Sequence, residues 1–268
     1  MPGRLIVCPT PIGNMEDVTL RTLTTLREAD LIACEDTRRT GKLLERFGVS
    51  AKLVSYNEQN ERRRAAELVE RMAGGETVAL VSDAGMPLVS DPGYVMVQAC
   101  IAAGLPVEVL PGPSAVLAAL VAAGLPSDHW RFAGFMPRKA SEIDSLLANL
   151  TETLVAFESP RRLGVTLERL ATIDPRRPAA VCRELTKLHE EVVRGTAEEL
   201  SAKFADGGVK GEIVLVVGAA SAESLEHRRL ADARAAVVRL GEAGARTRDA
   251  AKVVAELTGL RANDLYQP

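Results

Sequence analysis

Two aspartates frame the stretch of this chain best suited to holding a small polar ligand. Asp83 and Asp91 sit in Ser82-Asp-Ala-Gly-Met-Pro-Leu-Val-Ser-Asp-Pro-Gly93, which follows the apolar run Val78 to Val81. Such a run reads as a buried strand, and a loop at the carboxyl end of a strand in an open α/β sheet is where ligands bind. Gly85 and Gly93 permit sharp turns or close backbone approach, while Pro87 and Pro92 stiffen the path. Either aspartate can accept hydrogen bonds from ligand hydroxyls. The loop has no lysine or arginine and does not match a phosphate-cradling P-loop. The expected ligand therefore carries hydroxyls and few or no phosphates. The plain alternative is a stiff crossover loop that covers the sheet edge.

Two further segments pair carboxylates with guanidiniums. Glu35-Asp-Thr-Arg-Arg39 ends the run Leu31 to Cys34, and Glu158-Ser-Pro-Arg-Arg162 ends Leu154 to Phe157. A carboxylate there can orient or deprotonate a hydroxyl, and the arginines can grip phosphate oxygens; a salt-bridged helix start is the bland reading of the first. With Ser159 or Pro160 opening a helix, Arg161 and Arg162 would oppose its dipole, a local conflict that often marks function. Pro111-Gly-Pro-Ser-Ala115 is a second strand-end loop without basic residues, and Ser114 reads as a helix N-cap. A cofactor lying across this loop and the Asp83 loop is one reading; a plain turn with a capped helix is the other. After the first strand stands Pro9-Thr-Pro-Ile-Gly-Asn14, not the three-glycine fingerprint of NAD or FAD sites.

The elements that must position these residues alternate. Strands are expected at Leu5 to Cys8, Leu31 to Cys34, Lys52 to Ser55, Val78 to Val81 and Val107 to Leu110. Helices are expected at Thr19 to Ala29, Thr40 to Phe47, Asn60 to Ala73, Tyr94 to Ala103 and from Ser114 through Ala122. This order predicts a mostly parallel sheet with helices on both faces. A second α/β unit follows, with strands at Arg131 to Phe135, Leu154 to Phe157, Ala179 to Cys182 and Ile213 to Val217. Helices run from Ala140 to Leu150, through Ala171, and from Ala197 to Phe204. Beyond Ala222 only helices are expected: Leu225 to Leu240, ended by Gly241, then one capped by Thr247 and running through Leu257, then a short third after Gly259. That tail resembles a helix-turn-helix or simply caps the core. The predicted division is 1–124, 125–221 and 222–268.

Composition narrows the function. A chain of 268 residues suffices for two domains, and 47% hydrophobic residues support a core built of Leu, Val, Ala and Ile, since aromatics reach only 3%. No run approaches the roughly 18 apolar residues of a membrane span. The start shows no signal-peptide cleavage pattern, so a cytoplasmic location is expected. Cys8, Cys34, Cys100 and Cys182 are scattered in apolar contexts and do not cluster with His129, His189 or His227, which predicts free buried thiols and no metal site. A net charge of −3 argues against a protein that coats nucleic acid non-specifically.

Taken in order, Thr10-Pro-Ile-Gly-Asn14, Glu35-Asp-Thr-Arg38, Ser82-Asp-Ala-Gly85 with Ser90-Asp-Pro-Gly93, Pro111-Gly-Pro113, Gly134-Phe135 with Pro137 and Lys139, and Glu158-Ser-Pro-Arg161 resemble the tetrapyrrole methylase superfamily, in its branch of 16S rRNA cytidine 2′-O-methyltransferases. The resemblance covers roughly residues 4 to 218. It implies two α/β domains with S-adenosylmethionine (SAM) in the cleft between them, a homodimer, and methylation of a decoding-centre cytidine in the small ribosomal subunit. It implies cofactor contacts at Pro11, Asp83, Met86, Ser114, Ala115 and Phe157, and around Leu185 and Ile213. Met86 stands where many relatives carry threonine, a change of side-chain contact but not of backbone path. A base helping the 2′-hydroxyl would come from Glu35, Asp36 or Glu158. Arg38, Arg39, Lys139, Arg161 and Arg162 would position the RNA backbone. Alternatives within the superfamily are methylation of a corrinoid or porphyrinoid, or of a protein side chain as in diphthamide synthesis. A non-enzymatic RNA-binding module is a third.

Overall fold

The computed structural model describes residues 3–266, so the outermost residues of the first unit and of the tail, Met1, Pro2, Gln267 and Pro268, lie outside the described part. The first sheet is built from β1 (Arg4–Cys8), β2 (Leu31–Cys34), β3 (Leu53–Ser55), β4 (Thr77–Val81) and β5 (Val107–Val109), all parallel, in the order β3-β2-β4-β1-β5. Side chains alternate across a strand, and both sets are apolar here, so both faces take helices. On one face Leu5, Val7, Ala33, Val78 and Leu80 pack against α3 (Glu61–Ala73) and α4 (Tyr94–Ala102). On the other, Ile6, Ile32, Ala79 and Val81 pack against Leu26 of α1 (Leu20–Glu28) and Leu44 of α2 (Thr37–Arg46).

The helix α5 (Ala115–Ala123) follows β5 in the chain but packs elsewhere. Its Val116, Ala119, Leu120 and Ala123 lie with Val155, Ala180, Cys182, Val214 and Val216 of the second sheet, and with Ile12. One core thus joins the two units across the expected boundary near Gly124.

The second sheet comprises β6 (Trp130–Phe135), β7 (Thr153–Glu158), β8 (Pro178–Arg183), β9 (Glu191–Thr196) and β10 (Ile213–Val217), in the order β6-β7-β10-β8-β9. Only the β6–β7 pair is parallel; β10 runs antiparallel to both β7 and β8. The strand β9 is absent from the sequence expectation. The face away from α5 is covered by α6 (Ala140–Ala148), α7 (Leu163–Ile173) and α8 (Ala197–Lys203), through Leu147, Leu167, Leu170 and Leu200.

The tail is α9 (Ala222–Glu242), α10 (Thr247–Thr258) and a short 3₁₀ turn at Ala262–Leu265, with a small core of its own around Ala233, Val237, Ala251, Val254 and Leu265. Two expected boundaries shift. Gly241 does not end α9; the chain turns at Gly244, whose φ is 96°. Thr247 is the first residue of α10 rather than its cap, a position held by Arg246 without a side-chain hydrogen bond. No helix among the described residues is long and apolar enough to cross a membrane.

Candidate functional site

In the first sheet the connection after β1 runs one way along the sheet and that after β4 runs the other, so the crevice between their carboxyl ends is the topological switch point. Two loops meet there. Thr10 and Gly85 exchange backbone hydrogen bonds, each 2.9 Å long, and the Thr10 hydroxyl donates to the Ser82 carbonyl at 3.0 Å. A glycine suits position 85, where φ is 84°. The second unit closes over this crevice. The Asn14 N–H donates to Thr186 Oγ1 at 3.0 Å, and a Cβ on Gly13 would stand 2.4 Å from Cγ of Lys187.

Two chambers open at the junction. The larger, of about 400 Å³, is mostly apolar: Ile12, Met86, Val89, Ala115, Phe135, Phe157 and Ile213 form walls, with Ser114, Asp91 and Glu158 as polar points. No lysine or arginine lines it. The smaller, of about 260 Å³, is polar, with Thr10, Pro11, Arg39, Lys42, Ser82, Asp83 and Lys187 on its walls. Ile12, Ala84 and Glu212 line both.

The helix starts around these chambers explain several motifs. Asp36 caps α2: its carboxylate accepts the Arg38 N–H at 2.8 Å and takes the Arg38 guanidinium on both oxygens, at 3.1 and 2.8 Å. Those bonds hold the Asp36 carboxyl down at about 2. Asp83 accepts the Asp36 N–H at 3.1 Å and faces Arg39 at 3.4 Å, so it ties the ends of β2 and β4 together. Ser114 caps α5 by accepting the Leu117 N–H at 3.4 Å.

Glu158 is buried at the end of β7, with every oxygen engaged. It accepts the Thr166 hydroxyl at 2.5 Å, the Ser159 N–H at 2.6 Å and the Arg162 guanidinium at 2.7 Å. Arg162 also donates to the carbonyls of Pro137 and Met136, at 2.8 and 3.1 Å. The helix begins only at Leu163, so the expected dipole conflict does not arise: Arg161 lies in the preceding turn and Arg162, at the cap position, is neutralised by Glu158. The two adjacent arginines therefore differ in surroundings, for Arg161 is exposed on the wall of a groove of about 1000 Å³ that also includes Lys210.

Of the eight residues expected at the cofactor, Met86, Ser114, Ala115, Phe157 and Ile213 line the larger chamber, and Pro11 and Asp83 line the smaller. Leu185 lines neither and packs in the shared core with Ile12. Arg38 and Lys139 are exposed, though each touches a carboxylate, Asp36 at 2.8 Å and Glu142 at 3.2 Å. Glu35 is half-buried on neither wall, and burial followed by the Asp83 charge pushes its carboxyl up. Sequence reasoning did not single out Gly211 and Glu212. They precede β10, and a strand antiparallel to β7 brings its leading residues to the carboxyl end of β7, where Ile213 pairs with Glu158. The four cysteines are free and buried, and burial pushes Cys8 up to about 12 and Cys182 up to about 11, which suits inert thiols. Among the described residues no three His, Cys, Asp or Glu side chains group as metal ligands.

The model of the tetrapyrrole (corrin/porphyrin) methylases matches residues 4–201. The ribosomal RNA small subunit methyltransferase I of Mycobacterium tuberculosis is 45% identical, over 98% of this chain and 93% of that protein. The protein of the same name from Thermotoga maritima is 44% identical over 217 residues, 80% of this chain and 98% of its own length. Among solved structures, uroporphyrin-III C-methyltransferase of Thermus thermophilus, crystallised with S-adenyl homocysteine, superposes with a TM-score of 0.57 at 21% identity, over 81% of this chain and 97% of that one, a likeness of fold.

Proposed function

The chain belongs to the tetrapyrrole (corrin/porphyrin) methylase family, and we propose that it is a SAM-dependent methyltransferase of small-subunit ribosomal RNA whose acceptor is the ribose 2′-hydroxyl of a decoding-centre cytidine. The observation that carries this reading is the pair of chambers sharing Ile12, Ala84 and Glu212, one apolar and one polar. The apolar chamber suits the donor and the reacting hydroxyl, and the polar one the RNA backbone beside it.

The residues present fit SAM. About 400 Å³ lies within the usual range for small-molecule sites. The absence of cations from the larger chamber's walls suits a ligand with a sulfonium and no phosphate, and Glu158 and Ser114 supply polar points among apolar walls. Met86, Ser114, Ala115, Phe157 and Ile213 would hold the cofactor, with Pro11 and Asp83 at the passage to the smaller chamber. When bound, SAM supplies a methyl group on a positively charged sulfur. The protein's share is to hold the acceptor oxygen in line with that methyl and to exclude water, which is worth much of the acceleration. Arg39 and Lys42 at the smaller chamber, with Arg38, Lys139 and Arg161 outside it, would steer the RNA backbone. Arg162 instead supports the fold of the turn through Glu158.

The remaining parts of the reading follow from this activity. A cytoplasmic setting, where ribosomal subunits mature, accords with four free thiols. A homodimer would cover apolar side chains left exposed on the first unit, among them Tyr94 and Ile101 of α4 and Val121 of α5.

Incubation with labelled SAM and either 30S subunits or naked 16S rRNA, followed by mapping of the modified nucleotide, tests the assignment. A 2′-O-methylated cytidine is the expected product; a label on a nucleobase or on the ribose of another nucleotide refutes it. Arg161→Ala is expected to raise KM for RNA and to flatten the salt dependence by about one unit or less, with SAM affinity unchanged. RNA kinetics equal to wild type across a salt titration would make Arg161 a solvated residue only.

The tail is proposed as an accessory RNA grip, with Arg246, Arg248 and Lys252 at the start of α10. A chain ending at Ala220 is expected to stay folded and to bind SAM, because β10 closes the second sheet at Val217 and the tail has its own core. It should bind the ribosomal substrate more weakly. Size-exclusion chromatography and SAM calorimetry check this: aggregation of the truncated chain makes the tail a cap on apolar surface, and unaltered rRNA methylation removes its RNA role.

A further inference from the structure

We propose that Asp91 is the general base of the methyl transfer, accepting the proton of the acceptor hydroxyl while that oxygen bonds to the methyl carbon. The inference rests on the ribose-methylation reading above. Four carboxylates line the two chambers: Asp91, Glu158, Glu212 and Asp83. Three of them hold a cation. Glu158 binds Arg162 at 2.7 Å, Glu212 binds Lys187 at 2.9 Å and Asp83 faces Arg39 at 3.4 Å. Asp91 makes no ion pair among the described residues, and beyond the Ser82 hydroxyl bond it keeps acceptor capacity for a substrate.

The remaining acids near the site are less apt. Glu35 lies on neither chamber wall. Asp36 is committed to Arg38 and to capping α2. A carboxylate held at about 2 is a weak proton acceptor.

The backbone fixes Asp91 against the chamber. Leu88 and Ser90 adopt φ values of 72° and 65°, a region that side-chain-bearing residues enter rarely, and Gly93 follows at 142°. A Cβ on Gly93 would stand 2.6 Å from Leu88 Cδ1, so the loop is closed tightly on itself. Strained backbone of this kind persists where the surroundings over-determine it. The groups facing Asp91 come from separate strand ends: Glu35 after β2, and Asp83 and the Ser82 hydroxyl after β4, while Arg39 of α2 is turned to Asp83. Burial, and next the Glu35 charge, raise the Asp91 carboxyl to about 6, against the opposing hydrogen bond from Ser82. At neutral pH it is therefore mostly ionised and still basic, the condition under which a general base works best.

The atoms balance without another reactant. The 2′-oxygen forms its bond to the methyl carbon as the carbon–sulfur bond breaks, and that electron pair remains on sulfur. The hydroxyl proton passes to an Oδ of Asp91 and then to water when the products leave.

The test compares wild type, Asp91→Asn and Asp91→Glu in single-turnover methylation of 30S subunits across a pH series. Calorimetry of SAM binding and an NMR titration of ¹³C-carboxyl-labelled aspartate run alongside. The expected wild-type rate rises with pH to a plateau, with a midpoint near the value of about 6 at which the Asp91 signal titrates. Asp91→Asn should be slower by about 100-fold or more and lose that rise, with SAM affinity kept, and Asp91→Glu should restore part of the rate. A wild-type rate and pH profile in Asp91→Asn overturns the inference. So does a loss of SAM affinity that matches the loss of rate, which would make Asp91 a cofactor-holding residue. A wild-type enzyme that leaves rRNA ribose unmethylated overturns the functional reading, and this inference with it.

Discussion

Glu158→Ala is expected to lower the unfolding free energy by about 3–5 kcal/mol, the range for breaking a buried ion pair by removing one partner. Glu158 is 3% exposed, and its carboxylate takes Thr166, Ser159 and Arg162 at once. Alanine would leave the Arg162 charge half-buried without its counter-ion and the Thr166 hydroxyl buried without an acceptor. Glu158→Gln should cost less, because the amide oxygen still accepts one of these donors while its NH₂ meets another donor. Urea denaturation of both variants beside Arg161→Ala measures the effect. The exposed Arg161 should change little. A loss below about 1 kcal/mol in Glu158→Ala would show that the turn is held by its packing and not by this carboxylate. The same saturation leaves no Glu158 oxygen free for a substrate and makes it a builder of the chamber wall.

Ala115→Phe is expected to weaken SAM binding at least 100-fold, about 2.8 kcal/mol at 1.4 kcal/mol per decade. Ala115 opens α5 on the wall of the larger chamber, whereas Val116, Ala119, Leu120 and Ala123 carry the packing on the second sheet. The added ring therefore enters a space of about 400 Å³ and leaves the main core contacts of the helix in place. Without ligand the melting temperature should stay close to wild type. The rise in Tm that SAM gives the wild-type protein should vanish, since stabilisation by a ligand scales with its occupancy of the folded state. A SAM-dependent rise of wild-type size in Ala115→Phe would place the cofactor elsewhere.

Most of the first sheet was legible because its strands are short aliphatic runs between glycine or polar stops; β2 fell on its expected bounds, Leu31–Cys34. The start of α2 was not, because Thr37-Arg-Arg carries no apolar periodicity, and the helix begins where Asp36 can cap it. The strand β9 was hidden for a related reason. Its sequence Glu-Val-Val-Arg-Gly-Thr shows no alternation, and it is an edge strand held by antiparallel pairing to β8. The loops of the site were readable from their glycines, prolines and aspartates. Partnerships across the fold were not. Nothing in Arg161-Arg162 announces that one faces solvent while the other grips Glu158 and two carbonyls. Likewise Asp91 stands apart only once the cations of its neighbours are counted, and Arg162, Lys187 and Arg39 come from three different segments.

The place of β10 has a consequence for synthesis. It is the last strand of its sheet in the chain, yet it lies in the middle, between β7 and β8. Until Val217 has left the ribosome, the second unit can form only two separate ribbons, β6 with β7 and β8 with β9. Each presents an unpaired apolar edge of the kind that recruits foreign strands. Domains tend to fold as units in order of emergence, so the first sheet can close early, whereas the second waits for its final strand. Nascent chains arrested before residue 213 should accordingly depend on chaperones, and those released after 217 should not.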